Sequence, residues 1–172
     1  RAVCHERLAI VEPTAAGNQP FADATAALAA NAEIYNHEAL KRALGVHGGS
    51  DCAALLPLWR ERGDATAAAL DGDFAFALVD AASGAVYAAR DPVGVNPLYI
   101  GFGGAAGPDA VCFASEAKAL LEGGLCESVE PFPPGFFYSS SPDAPAAADD
   151  DARALPGGGR LARYWKRDWF AG

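Results

Sequence analysis

The stretch "DFAFALVD" (73–80) decides the fold. Phe74, Phe76 and Leu78 alternate with Ala75, Ala77 and Val79, so a strand here is apolar on both faces. A strand of that kind has to be covered above and below. Directly after it, "AASG" (81–84) is turn chemistry and "AVYAAR" (85–90) supplies a returning partner, which makes an antiparallel hairpin.

Upstream, "RLAIVE" (7–12) reads as a strand closed by Pro13, and "GNQPF" (17–21) as a turn. "TAALAAN" (25–31) reads as a second strand leading into the polar cluster "NAEIYNH" (31–37), where Ile34 to His37 make the turn and cap of the next helix. Asn36 can cap a helix over "HEALKRAL", with Leu40 and Leu44 on one face and Gly45 past its end. Ser50 or Asp51 can cap a second, "CAALLPLWRER", stopped by Gly63 and kinked at Pro57. Downstream, "PLYIGF" (97–102) and "AVCFA" (110–114) pair, "SEAKALLEG" (115–123) is a short helix, and "GFFYSS" (135–140) is the last strand. Hairpins buried on two sides imply an α+β layered sandwich. Residues 139–159 offer little apolar surface to bury, carry a charge run, and read as a flexible loop or linker. "RYWKRDWF" (163–170) is either a docking segment or a final strand over the core.

The chain has 172 residues and a formal net charge of −9, which suits one domain and disfavours nucleic acid as a partner. No stretch has the length of a membrane span. Cys4, Cys52, Cys112 and Cys126 form no C-x-x-C pair and read as small buried hydrophobes in a reducing compartment. His5, His37 and His47 are too dispersed to spell a metal site. There is no methionine, and Arg1 is no start, so a fragment of a longer protein is expected.

Polar residues collect where strands end: Arg7, the "NAEIYNH" cluster and Asp51. An arginine, an amide and two carboxylates complement an amino acid. A guanidinium can clamp a carboxylate, Glu33 and Asp51 can hold an ammonium, and Asn31 can donate to a developing oxyanion. Structural duties fit the same residues: Arg7 pairing with Glu6, and Asp51 and Asn36 as helix caps. "ARDPVGVNPLYIG" (89–101) is a turn of one shape, fixed by Pro92, Gly94 and Pro97, and Arg90 and Asp91 read as structural.

"HERLAIVEP…GNQP", "NAEIYNH", "SDC", "LDGDFAFALVD", "ARDPVGVNPLYIG", "FASEAKAL" and "FPPG" follow one another in that order. Together they resemble the glutamine-amidotransferase domain of glutamine-hydrolysing asparagine synthetase. Amidophosphoribosyltransferase and glucosamine-6-phosphate synthase share the Arg-Asp-Pro-Gly turn, but "EIYNH", "DGDFAFAL" and "FPPG" favour asparagine synthetase. The resemblance implies an N-terminal-nucleophile αββα sandwich of antiparallel sheets flanked by helices, incomplete at its N-terminus. It implies a domain over 1–138, the linker over 139–159, and a segment, 160–172, leading towards an absent synthetase domain.

The chemistry implied is attack of an N-terminal cysteine thiolate on the side-chain amide of glutamine, its own α-amine serving as base. A thioester forms, ammonia leaves, and water releases glutamate. By motif position Arg7 binds the glutamine α-carboxylate, the backbone of Ile10 and Val11 lines the pocket, Asn31 and the N–H of Ala32 form the oxyanion hole, and Glu33 and Asp51 hold the α-ammonium. The domain needs no cofactor or metal. ATP and Mg belong to the synthetase domain, the full-length enzyme is expected as a cytoplasmic homodimer, and neither nucleic acid nor membrane is a partner. The nucleophile is absent from the sequence, and Cys4, on the strand leading into "HERL", has no free α-amine, so this chain alone is expected to be inactive. Ala32 stands where the family has Gly, at a cost if the position needs positive φ, and Ala53 where it commonly has Glu. The alternatives are a non-catalytic glutamine-binding or interaction module and another class II amidotransferase.

Overall fold

The computed structural model describes residues 2–6, 14–141 and 152–166; the expected strand over 7–12 lies outside them. The strands are β1 (Phe21–Ala22), β2 (Ala26–Ile34), β3 (Gly72–Asp80), β4 (Val86–Arg90), β5 (Tyr99–Phe102), β6 (Val111–Ala114), β7 (Ser128–Pro131), β8 (Phe136–Ser139), β9 (Arg153–Ala154) and β10 (Arg160–Arg163). The α-helices are α1 (His37–Leu44), α2 (Leu55–Arg62) and α3 (Ala117–Leu121). Among the described residues one sheet runs β1-β2-β3-β4-β8-β10-β9 and a smaller one β6-β5-β7. Every pairing is antiparallel.

Strand β3 is covered on both faces, as its alternation demands. Phe74, Phe76 and Leu78 pack with Leu28, Ile34, Leu55, Leu56, Tyr87 and Phe137 beneath α1 and α2. Ala75 and Ala77 face the other way, into a core of Leu98, Ile100, Phe132 and Tyr138 between the two sheets. Helix α3 lies on the outer face of the small sheet, with Leu120 against Gly101. The layers are therefore helix, sheet, sheet, helix, the αββα sandwich expected from the sequence.

Local differences have local causes. Strand β2 runs on through Ile34 because its whole length pairs with β3, from Ala26↔Asp80 to Ile34↔Gly72. The polar cluster thus lies within the strand, and the turn is Tyr35 and Asn36 alone. Asn36 precedes α1 without a side-chain cap bond. Its amide instead donates to Ala69 O at 3.0 Å and accepts from Asp71 N–H at 3.2 Å, tying the turn to the entry of β3. The second helix is split into a 3-10 turn, Asp51–Ala54, followed by α2. Pro57 falls in the first turn of α2, where its missing N–H has no α-helical partner to lose, so no kink is required. Strand β7 is a short, partly buried edge segment with no alternation to announce it. "GFFYSS" is not the last strand, since β9 and β10 follow. The final strand ends where "RYWKRDWF" begins, and Tyr164 then stacks on Phe74 with ring centroids 6.4 Å apart. The remainder of that motif, 167–170, lies outside the described residues.

After β4 the chain is held by two adjacent charges. Asp91 is 1 % exposed. Its Oδ1 accepts the N–H groups of Val93, Gly94 and Val95 at 2.9, 2.5 and 3.2 Å, and its Oδ2 accepts that of Phe74 at 3.3 Å. Arg90 donates to the carbonyls of Asn96, Phe132 and Gly94 at 2.7, 2.8 and 2.9 Å. Gly94 has φ +78°, and a Cβ there would stand 2.7 Å from Pro134 Cγ, so the turn requires glycine. Asp91→Ala leaves buried donors without acceptors and is expected to lower stability by about 3 kcal/mol in urea unfolding. Asp91→Asn, which keeps one carbonyl oxygen, should lose less. Equal losses would assign the effect to volume rather than to hydrogen bonding.

Candidate functional site

Successive residues of a strand send their N–H and C=O groups to opposite sides. On β2 the even-numbered residues point away from β3, because Phe74, opposite Ala32, turns its own N–H and C=O towards Asp91 instead. That outer edge is dressed by side chains. Gln19 imitates a strand partner at Ala30, its Oε1 accepting the N–H at 2.7 Å and its Nε2 donating to the carbonyl at 2.8 Å. The Cys52 thiol donates to Ala32 O at 3.7 Å, and Asp51 Oδ2 accepts the Ile34 N–H at 2.8 Å. Between them the Ala32 N–H has no hydrogen-bond acceptor among the described residues.

A cavity of about 1010 Å³ opens on this edge, lined by Gln19, Asn31, Ala32, Glu33, Asp51 and Cys52. Cys4, His5 and Glu6 border it on one side, and Ala114 to Glu116 with Lys118 and Ala119 on another. The structure thus gathers Asn31, Ala32, Glu33 and Asp51 around one space. Arg7, Ile10 and Val11 lie outside the described residues. Asn31 and Glu33 are exposed, on the face of β2 opposite the helices. Ala32 sends its methyl towards the helix-side core, beside Ala30 and Ile34. Among the described residues only glycines have positive φ, so Ala32 carries no left-handed backbone strain and its methyl is core packing. Asp51 is 6 % exposed; it binds across to β2, and no side-chain cap bond is made at the start of the 3-10 turn.

Four carboxylates, those of Glu6, Glu33, Asp51 and Glu116, border the cavity against one lysine, Lys118. Tyr35 donates to Asp73 Oδ2 at 2.7 Å; that bond, with Glu33 and Asp71 adding their charge, raises the phenol pKa to about 12. Such a rim favours a cationic group at the carboxylates of Glu33 and Asp51. Burial, and then the neighbouring Asp51 carboxylate, pushes the Cys52 thiol up to about 12, so it stays protonated at neutral pH. Cys4 is exposed and lies outside any strand, and Cys112 is half-exposed, so only Cys52 and Cys126 are the buried thiols expected from the sequence. Among the described residues no three His, Cys, Asp or Glu side chains gather to hold a metal, and no helix is long and apolar enough to cross a membrane.

Gln19, Cys52 and Asn96 are the cavity's supporting groups that sequence reasoning missed. Asn96 Nδ2 donates to Asn31 O at 3.0 Å. Gln19 and Asn96 sit in segments that read only as turns. Their sole signal is an amide beside a proline, in "NQP" and "VNP".

Residues 1–162 match the glutamine amidotransferase domain family. The chain is 42% identical over 98% of its length to asparagine synthetase [glutamine-hydrolyzing] 3 of Arabidopsis thaliana, of which it covers 26%. It is 45% identical, again over 98%, to a probable asparagine synthetase [glutamine-hydrolyzing] of Schizosaccharomyces pombe, of which it covers 28%. The chain thus spans about a quarter of the length of these curated relatives. The solved glutamine phosphoribosylpyrophosphate amidotransferase of B. subtilis shares its fold, with TM-score 0.63, 22% identity and 88% of this chain covered against 32% of that one.

Ala32→Gly is expected to lose about 1 kcal/mol, since it removes a packed methyl and loosens a strand; an increase in thermal midpoint would contradict this placement. Iodoacetamide on the native chain near pH 7.5 should modify exposed Cys4 well before Cys52, and Cys52 only on unfolding. Peptide mass mapping that found Cys52 modified as fast as Cys4 would contradict its burial and its raised pKa.

Proposed function

The chain belongs to the glutamine amidotransferase domain family, and from that premise we propose that it carries the glutamine-binding part of a glutamine-hydrolysing asparagine synthetase. The observation that carries this reading is the Ala32 N–H, which meets no acceptor among the described residues while Gln19, Cys52 and Asp51 bind the groups beside it, inside a cavity shared with Asn31, Glu33 and Asp51. The glutamine side-chain carbonyl accepts from the Ala32 N–H and the Asn31 amide. As a nucleophile adds, that oxygen becomes an oxyanion, and the same two donors stabilise it without rearranging. Asp51 and Glu33 hold the α-ammonium. In this reading Arg7 clamps the α-carboxylate in two parallel bonds, and the backbone near Ile10 and Val11 lines the pocket.

The nucleophile in this reaction is a cysteine whose own α-amine takes the thiol proton. Cys4 is given no such part, because its nitrogen is a peptide nitrogen. The ammonia released passes to an ATP- and Mg-dependent synthetase domain, which amidates aspartate, and ATP and Mg are assigned to that domain. We place the amidotransferase unit at 1–138, a linker at 139–159 and a segment leading towards that domain at 160–172; β9 and β10, in the last two, still pair in the large sheet. We assign the full-length enzyme to the cytoplasm, as a homodimer.

Titration calorimetry of this chain with L-glutamine tests the reading. Saturable heat is expected from wild type, with affinity reduced at least about ten-fold in Arg7→Ala, the loss of one charge-assisted clamp. Glutamine heats equal in wild type and Arg7→Ala, with both folded by circular dichroism, would sink the assignment.

A further inference from the structure

Gly101 on β5 stands directly opposite Cys112 on β6. Opposed residues of an antiparallel pair send side chains to the same face. The next pair, Ile100 and Phe113, faces the core between the sheets, so Gly101 and Cys112 face α3. On that face the Cys126 sulfur lies 2.7 Å from where a Cβ on Gly101 would stand. The side chain that Gly101 lacks is the space the sulfur fills. Two thiols therefore share the surface of one glycine.

Both main chains are fixed. Cys112 sits in the ladder, Cys126 N–H donates to Leu120 O at 2.8 Å, and Glu127 N–H donates to Phe102 O at 2.9 Å. Cys126 is buried and Cys112 half-exposed, so an oxidant reaches Cys112 first. Burial, followed by the adjoining Cys112 thiol, pushes Cys126 up to about 11.

We propose that Cys112 and Cys126 form an oxidisable dithiol that closes to a disulfide under a peroxide, stapling β6 to the turn after α3. The Cys112 thiolate attacks one peroxide oxygen, the O–O bond breaks, and hydroxide leaves Cys112 as a sulfenic acid. The Cys126 sulfur then attacks the Cys112 sulfur, the S–O bond breaks, and the second oxygen departs as water. Two thiols and one hydrogen peroxide become one disulfide and two waters. The loop so closed contains Ala114 to Glu116, Lys118 and Ala119, which form a wall of the cavity at β2. Oxidation thereby restrains that wall from outside the cavity, with no change at Asn31, Ala32 or Asp51.

The test uses the whole chain, treated with hydrogen peroxide near pH 8 and then blocked with N-ethylmaleimide. Trypsin cleaves after Lys118 and places the two cysteines on separate peptides, 91–118 and 119–153. The expected product is that peptide pair joined, about 2 Da lighter than the two thiol peptides and separated again by dithiothreitol. Cys112→Ser and Cys126→Ser should each abolish the pair. Hydrogen exchange over 114–121 should slow several-fold on oxidation and recover on reduction. A link formed instead by Cys4 or Cys52, or Cys112 reaching sulfinic acid while Cys126 keeps its thiol, would overturn the dithiol. Unchanged exchange over 114–121 in the linked protein would overturn its hold on the cavity wall. Trapping in the wild type stands by itself should either serine variant fail to fold.

Discussion

The Asp91 carboxylate holds the centre of this molecule together. A buried charge is costly unless donors surround it, and four backbone N–H groups do so here. One of them belongs to Phe74, so the turn after β4 is pinned to β3. Arg90 fastens the far side of the same turn through three carbonyls, including that of Phe132 beyond the small sheet. Tyr164 donates to Arg90 O at 2.8 Å, and Gly135 N–H to Asp91 O at 3.0 Å, which brings the end of the described chain onto the same point. With the turn fixed, Asn96 reaches Asn31 O and secures the polar end of β2.

That end of β2 separates three duties by direction. Even-numbered side chains, Ala30, Ala32 and Ile34, enter the helix-side core. Odd-numbered side chains, Asn31 and Glu33, remain exposed on the opposite face. The even-numbered N–H and C=O groups point along the sheet edge into the cavity. An open strand edge is ordinarily a liability, prone to pairing with another chain. Here Gln19, Cys52 and Asp51 occupy the positions a neighbouring strand would take, and the donor they leave is the one proposed to meet a reacting carbonyl. Preorganised donors of this kind stabilise developing charge at no reorganisation cost. The glycine of the family motif is dispensable for the backbone, since Ala32 sits in ordinary strand geometry and its methyl is absorbed by the core.

The double-sided alternation of 73–80 carried the layered architecture because burial on both faces has few solutions. The hairpin over 81–90, helix α1 with Gly45 at its left-handed cap, and the β5–β6 pair were legible for the same reason: turn residues and periodicity are local. Strands β7 and β9 were not, because short edge segments bury too little to leave a pattern. Asn36 shows the limit of cap signals. Its amide had two uses within reach, and the contact with residues 69–71, far along the chain, displaced the local one. In the site, the types and order of Asn31, Glu33 and Asp51 were readable as complementary to an amino acid. Gln19, Cys52 and Asn96 gave no such signal, since each acts on a strand distant in sequence.

By itself the sequence determined the long central strands and the helix α1, which face of each is apolar, and which residues carry amide and carboxylate chemistry. These follow from periodicity, turn stereochemistry and side-chain type, all written within a few residues. Only the tertiary structure decided that Asp51 stands against Ile34, that Gln19 stands against Ala30, and that no described residue takes the Ala32 N–H between them. Hydrogen bonds along a sheet edge depend on which neighbour arrives and in what register. That choice is made by long-range packing, which no short window of sequence contains.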